Sequence, residues 1–148
     1  MLQRVSRASV SVDGDLVSII GEGLCLLVGV EPDDSDREVR AAVDKIVGLR
    51  VFSDETGKMN LDIGDVGGEI LIVSQFTLFG DVRKGRRPSF TGAASPGHAE
   101  PLIVAMAKAF ADVGIATMTG VFGAHMSVHI ENDGPVTLIL EIREGRVH

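Results

Sequence analysis

The chain predicts one mixed α/β (α+β) domain over residues 1–148, a mostly antiparallel sheet or open barrel with two main helices. Three observations carry this. Strand-length segments with alternating or continuous apolar residues lie toward both ends of the chain. Two other segments place apolar residues at helical spacing. Between them Ile70-Leu71-Ile72-Val73 is an unbroken, largely β-branched run, the mark of a strand buried on both faces. The order of three strands, helix, strand, helix and three strands fits helices packed on one sheet. No repeat, low-complexity segment or linker divides it.

Residues 2–12 alternate over their second half, with Ala8, Val10 and Val12 on one face and Ser9 and Ser11 on the other. Arg7 falls on the polar face. Asp13-Gly14 is a hairpin pair, because both central positions of such a turn favour positive φ. Residues 16–20 return, Gly21-Glu22-Gly23 turns again, and residues 24–30 form a buried central strand. Pro32 ends it. Asp33, Asp34 and Ser35 offer N-caps to a helix whose stripe is Val39, Ala42, Val43, Ile46 and Val47, extending to Arg50. Residues 49–52 begin a short strand, 53–57 a polar turn, and 64–68 a Gly/Asp loop. After Phe79 about 18 residues lack a regular pattern, and a loop of that length in a small domain is commonly functional. Ser95-Pro96 can start the second helix, but Pro101 sits awkwardly in one that begins at Pro96, which moves the expected start toward Ala99. Its stripe is Leu102, Ala105, Met106, Ala109 and Val113, and Gly114 stops it. Residues 115–119, 125–131 and 136–142 read as strands, the last two joined by a turn at Asn132-Asp133-Gly134-Pro135. The tail from Arg143 has no assignable role.

Composition excludes several classes. No apolar run reaches the roughly 18 residues of a membrane span, and the N-terminal residues lack a secretory h-region. A cytoplasmic location is expected. The net charge of −7 opposes coating of nucleic acid through a global field, yet leaves room for a local basic patch. With no Trp and no Tyr, stacking platforms are few. The one cysteine, Cys25, lies in an apolar run and reads as a small buried hydrophobe, with no disulfide to make.

The residues that carry chemistry sit at the exit of the core strand. Ser74, Gln75 and Thr77 are polar, while Phe76, Leu78 and Phe79 stay apolar. Such a segment is either a site mounted on a rigid strand or the plain meeting of a strand with solvent. No metal is expected: His98, His125, His129 and His148 form no helical H-x-x-x-H pair, and four residues span about 13 Å along a strand. No organic cofactor is expected either. A hydrolytic triad finds no G-x-S-x-G elbow and no histidine in a recognisable base position near Ser74 or Thr77. A bare threonine hydroxyl is a poor nucleophile without a base. Donors without a base suit a substrate that brings its own reactive group.

Ser74-Gln75-Phe76-Thr77-Leu78, the following Arg83-Lys84-Gly85-Arg86-Arg87-Pro88-Ser89-Phe90 and the distant Asn132-Asp133-Gly134-Pro135-Val136-Thr137 together resemble the D-aminoacyl-tRNA deacylase family. QRVSRASV from Gln3 and GKMN from Gly57 extend the likeness to nearly the whole chain. The resemblance implies a deacylase-type fold and a cytoplasmic homodimer with active sites at the subunit interface, acting in translation quality control on aminoacylated tRNA. It implies hydrolysis assisted by the ribose hydroxyl beside the ester, with Ser74, Gln75, Phe76 and Thr77 supplying geometry and an oxyanion site. It implies a cis Gly134-Pro135 turn, inserted into the partner's pocket, that admits D-aminoacyl and glycyl esters, the latter mischarged on tRNA-Ala, and rejects L. Arg7 and Met126 would brace that turn. Arg83, Lys84, Arg86 and Arg87 form the only dense basic cluster and would meet acceptor-stem phosphates. The alternatives are a noncatalytic tRNA-binding module of the same fold, which could lose either motif, and a free D-amino-acid or peptide hydrolase, which would need an activated nucleophile.

Overall fold

Strand β1 (Leu2–Val12) is the spine of the molecule. The computed structural model describes residues 1–148. Along one edge β1 pairs antiparallel with β2 (Asp15–Ile20) at its far half and β3 (Gly23–Val28) at its near half. Its other edge carries the antiparallel strand β8 (Ser127–Leu138). Helix α1 (Asp36–Val47) and a short hairpin of β4 (Phe52–Ser53) and β5 (Met59–Leu61) then lead into β6 (Glu69–Ser74), which pairs parallel to β3. Helix α2 (Pro96–Asp112) leads to β7 (Ala116–Thr119), parallel to β6. The sheet curls back on itself: Ser18 Oγ of β2 donates to Thr119 O of β7 at 2.5 Å, bringing the ends of the strand path together. The expected mixed, barrel-like sheet with two helices is what forms.

The core strand behaves as its run of apolar residues predicts. Ile70, Leu71, Ile72 and Val73 are all buried, each contributing about 2 kcal/mol of apolar transfer. Ile70 and Ile72 face α1 and α2, alongside Leu24, Leu26, Val43, Ile46, Met106 and Phe110. Leu71 and Val73 face inward with Val5, Ala8, Val10, Ile20 and the buried thiol of Cys25. Burial raises that thiol pKa to about 11.

Several boundaries differ from the sequence reading, each for a local reason. Ser35 caps α1 and Glu38 closes a capping box, so the helix starts at Asp36; it ends at Val47, leaving Arg50 outside the stripe. The expected strand at 49–52 shrinks to Phe52–Ser53, and its hairpin partner β5 carried no alternation to betray it. Helix α2 does begin at Pro96, because Pro101 forfeits only the bond to Gly97 at an exposed first turn. Its buried face is Ala99, Ile103, Met106 and Phe110, one of several stripes that apolar residues all round this helix allow, and Val113 ends up exposed beyond the helix. Residues 125–131 and 136–142 are not two strands joined by a turn: β8 runs continuously to Leu138. The tail folds into a hairpin of β9 (Ile142–Arg143) and β10 (Arg146–Val147) on α1, held where Gly145 N donates to Glu38 Oε1 at 3.0 Å. No helix is long and apolar enough to cross a membrane.

Candidate active site

The first half of the candidate site is the exit of β6. Gln75 N donates to Val28 O at 2.7 Å, the last rung beside β3, and the chain then tightens into a 3-10 turn over Phe76–Phe79. Phe76 and Thr77 open this turn, and the first N–H groups of a helical turn have no partner within it. Ser74 and Gln75 are half-buried, whereas Phe76, Thr77 and Leu78 are exposed. Gln75 Nε2 donates to the Thr77 hydroxyl oxygen, and no carboxylate or imidazole bonds to that hydroxyl. Thr77 therefore has an orienting neighbour and no base.

Two aromatic contacts fix the turn from outside. The rings of Phe76 and Phe90 meet edge to face, 5.1 Å apart at 77°. The Phe79 ring lies against Gly29 so closely that a Cβ there would stand 2.7 Å from Phe79 Cε2, so glycine is needed for the seat. The intervening loop is not wholly irregular: Asp81 and Ser89 pair as an antiparallel bridge, at 2.7 and 2.9 Å. At its base Arg83 forks onto the Asp81 carboxylate at 2.9 and 2.7 Å, and this cation holds the Asp81 carboxyl below its usual range. Lys84, Arg86 and Arg87 project from the tip, exposed and in no ion pair. The predicted basic cluster is thus three free cations and one engaged in holding the loop.

The second half is a bulge in β8. Gln3 pairs with Thr137 and Val5 with Asn132, so Arg4 alone faces residues 133–136, and the chain there bows outward. Asn132 closes the base of the bow: its Oδ1 accepts from Val136 N at 2.8 Å, and its Nδ2 donates to Val136 O at 3.3 Å and Thr137 Oγ1 at 3.0 Å. The Gly134-Pro135 peptide bond is cis. Gly134 has φ of +136°, and a Cβ there would come within 2.8 Å of the Val136 side chain, so only glycine fits.

Arg4, not Arg7, is the arginine that holds this turn within the chain. It is 7% exposed; Nε donates to Asp133 O at 3.1 Å and pairs with the Asp133 carboxylate at 3.2 Å, and Nη1 donates to Val51 O at 2.6 Å. Arg7 is exposed and lies opposite Glu131. Beyond the register slip between Val5 and Arg7, Arg7 stands opposite Glu131 on the straight part of β8, whereas Arg4 is the β1 residue set against the bow itself. Met126 is also remote: it packs against Gly120 and Val10, near the Ser11–Ser127 end of the β1–β8 ladder, roughly 25 Å along the strand from Gln3 and Thr137. Arg4 and Asn132 went unread in the sequence. Arg4 left a signal, an arginine two residues after Leu2 and so on the same inward face.

The two halves do not meet in one chain. Arg4 pairs with Leu24, and Leu24 with Ile70, so three strand spacings, about 14 Å, separate β8 from β6. Ile70 lies five residues before Gln75, about 16 Å further along the sheet. No three His, Cys, Asp or Glu side chains group as a metal would need.

Comparison with known proteins places this arrangement. The family described as D-Tyr-tRNA(Tyr) deacylase matches residues 1–141. Proteins named D-aminoacyl-tRNA deacylase from Thermomicrobium roseum and Chloroflexus aurantiacus are 55% and 52% identical, each over 99% of this chain and over 95% and 92% of their own lengths. A solved structure titled c-Myc DNA Unwinding Element Binding Protein superposes with a TM-score of 0.86 at 44% identity, covering 93% of each chain. A probable eukaryotic D-amino acid tRNA deacylase shares the fold, with a TM-score of 0.78 at 18% identity over 90% of this chain and 93% of that one. Fold and likeness define the class, a hydrolase acting on aminoacyl-tRNA. The chain belongs to the D-aminoacyl-tRNA deacylase family, and its activity is removal of the D-amino acid from tRNA.

Proposed function

We propose that this enzyme works as a homodimer in which the Gly134-Pro135 turn of one protomer completes the pocket at Ser74–Thr77 of its partner, admitting D-aminoacyl and glycyl esters and rejecting L. The observation that carries this reading is the separation of two preshaped halves across the sheet of a single chain. Water adds to the ester carbonyl, and the carbonyl oxygen gathers negative charge against the amides of Phe76 and Thr77. The bond to the ribose oxygen then breaks, and that oxygen takes a proton. The neighbouring ribose hydroxyl assists, which fits a site where Thr77 has no base. Gln75 orients Thr77, and Phe76, propped by Phe90, shapes the ribose side.

Selection by a backbone turn needs rigidity, and Arg4 and the Asn132 contacts supply it. Carbonyls of Gly134 and Pro135 accept from the substrate α-amino group, while their backbone fills the space an L side chain would need. Glycine, with no side chain, passes. Arg7 and Met126 lie away from the turn of their own chain, so their bracing role belongs across the subunit boundary. Lys84, Arg86 and Arg87 contact acceptor-stem phosphates, with Arg83 retained by Asp81.

The test is a matched set of D-, L- and glycyl-tRNA with the purified protein, beside a free D-amino-acid ester. The expected result is a D over L preference of about a hundredfold or more, the effect of about 2.7 kcal/mol, with glycyl-tRNA cleaved and the free ester spared. Activity per chain should fall as light scattering reports dissociation to monomers. Equal turnover of the enantiomers would overturn selection by the turn.

A further inference from the structure

We infer that Asn132 is a specificity-setting positioning residue: its side chain acts as a clamp that fixes the reach of the Gly134-Pro135 turn, and loosening it lets L-aminoacyl esters in. The inference rests on the selection proposed above and concerns a residue that touches neither substrate nor reacting atoms. A bow of residues 133–136 opposite the single residue Arg4 has no ladder partners of its own on β1. Its two legs need separate anchors. Arg4 holds the entering leg through Asp133 O. The leaving leg is held by Asn132, whose amide mimics a strand neighbour, accepting from Val136 N at 2.8 Å and donating to Val136 O at 3.3 Å. The second hydrogen of Nδ2 goes to Thr137 Oγ1 at 3.0 Å, and that oxygen also accepts from Gln3 Nε2 at 3.1 Å, tying the clamp to β1.

The chemistry explains why an asparagine is used. Only an amide offers an acceptor and two donors in one plane at this reach. Aspartate keeps the acceptor for Val136 N, and the Thr137 hydroxyl can turn to donate to it, but its carboxylate stands against Val136 O. Alanine leaves both the N–H and the C=O of Val136 unmet, and Val136 is itself buried. In each case Pro135 gains freedom to withdraw, and withdrawal opens the space that the L side chain requires.

The experiment compares kcat/KM for matched D- and L-aminoacyl-tRNA in the parent, Asn132→Ala, Asn132→Asp and Thr137→Val, with circular dichroism confirming the fold and hydrogen exchange read at the Val136 amide. Asn132→Ala is expected to raise the L-to-D ratio about tenfold, the effect of removing one net hydrogen bond at the wedge, with faster exchange at Val136. Thr137→Val, which removes one acceptor with little change of shape, should move the ratio the same way by less, and it serves if the alanine variant fails to fold. A folded Asn132→Ala with the parental ratio would overturn the clamp. Loss of both activities in equal proportion would also overturn it, by moving Asn132 from selection to catalysis. A parent that cleaves both enantiomers alike would overturn the reading of the site itself, and the selective role of Asn132 with it.

Discussion

Thr77 is the residue a chemist would first suspect, and its surroundings argue otherwise. Its hydroxyl oxygen accepts from Gln75 Nε2, and no carboxylate or imidazole is hydrogen-bonded to it to take its proton. Removing a true nucleophile costs about a millionfold in kcat. Thr77→Ala is instead expected to stay within about tenfold of the parent, the value of about 1.4 kcal/mol of positioning. Single-turnover deacylation measures this, and complete loss with an acylated Thr77 trapped on the protein would reverse the assignment. Arg4 shows the complementary case. A buried guanidinium is tolerated because the Asp133 carboxylate balances its charge while Nε and Nη1 reach two backbone carbonyls.

At the scale of the element, the capping box of α1 does more than start a helix. Glu38 is buried and receives Ser35 N at 2.9 Å, Ser35 Oγ at 2.6 Å and Arg37 Nε at 3.0 Å, and Gly145 N of the C-terminal hairpin adds a fourth donor. Hydrogen bonds from Ser35, ahead of the cost of burial, lower its pKa from 4.5 to about 2. A carboxyl depressed on folding stabilises the fold fully above its unfolded pKa, and that stabilisation is lost as pH falls through the folded value. Acid should therefore weaken both the helix start and the docking of β9 and β10 between about pH 4.5 and pH 2. Glu38→Gln is expected to be less stable at pH 7 and to lose less stability over that acid window, as urea denaturation at a series of pH values would record. Parallel pH profiles for parent and variant would dismiss the role. The elements themselves were legible to different degrees. Ile70 to Val73 and the stripe Val39, Ala42, Val43, Ile46 follow from local pattern. The phase of α2 does not, because apolar residues surround that helix and more than one stripe fits the same spacing.

For the whole molecule, the net charge of −7 makes the exposed cations of the 81–89 hairpin stand out against an acidic surface. Long-range steering of tRNA is weak in such a field, and binding falls to local phosphate contacts. Arg86→Glu with Arg87→Glu should weaken tRNA binding and reduce the slope of log affinity against log salt by about 0.7–0.9 for each phosphate no longer neutralised. Filter binding over a range of salt checks this, and an unchanged slope would remove the hairpin from the interface.

The sequence alone settled what short-range chemistry can settle: the buried strand ending at Ser74, the capped first helix, the basic loop, and the paired motifs whose likeness implied the family. Which arginine holds the turn, which face α2 buries, and that the bow of β8 stands far from Ser74–Thr77 in its own chain were decided by tertiary structure. The physical reason is register. The slip between Val5 and Arg7 puts Val5 on the same core face as Ala8 and Val10, and four residues set against Arg4 alone make a projecting turn out of what reads locally as a loop between strands. Neither fact is written in the spacing of side chains along one segment; both arise only when β1 and β8 lie side by side.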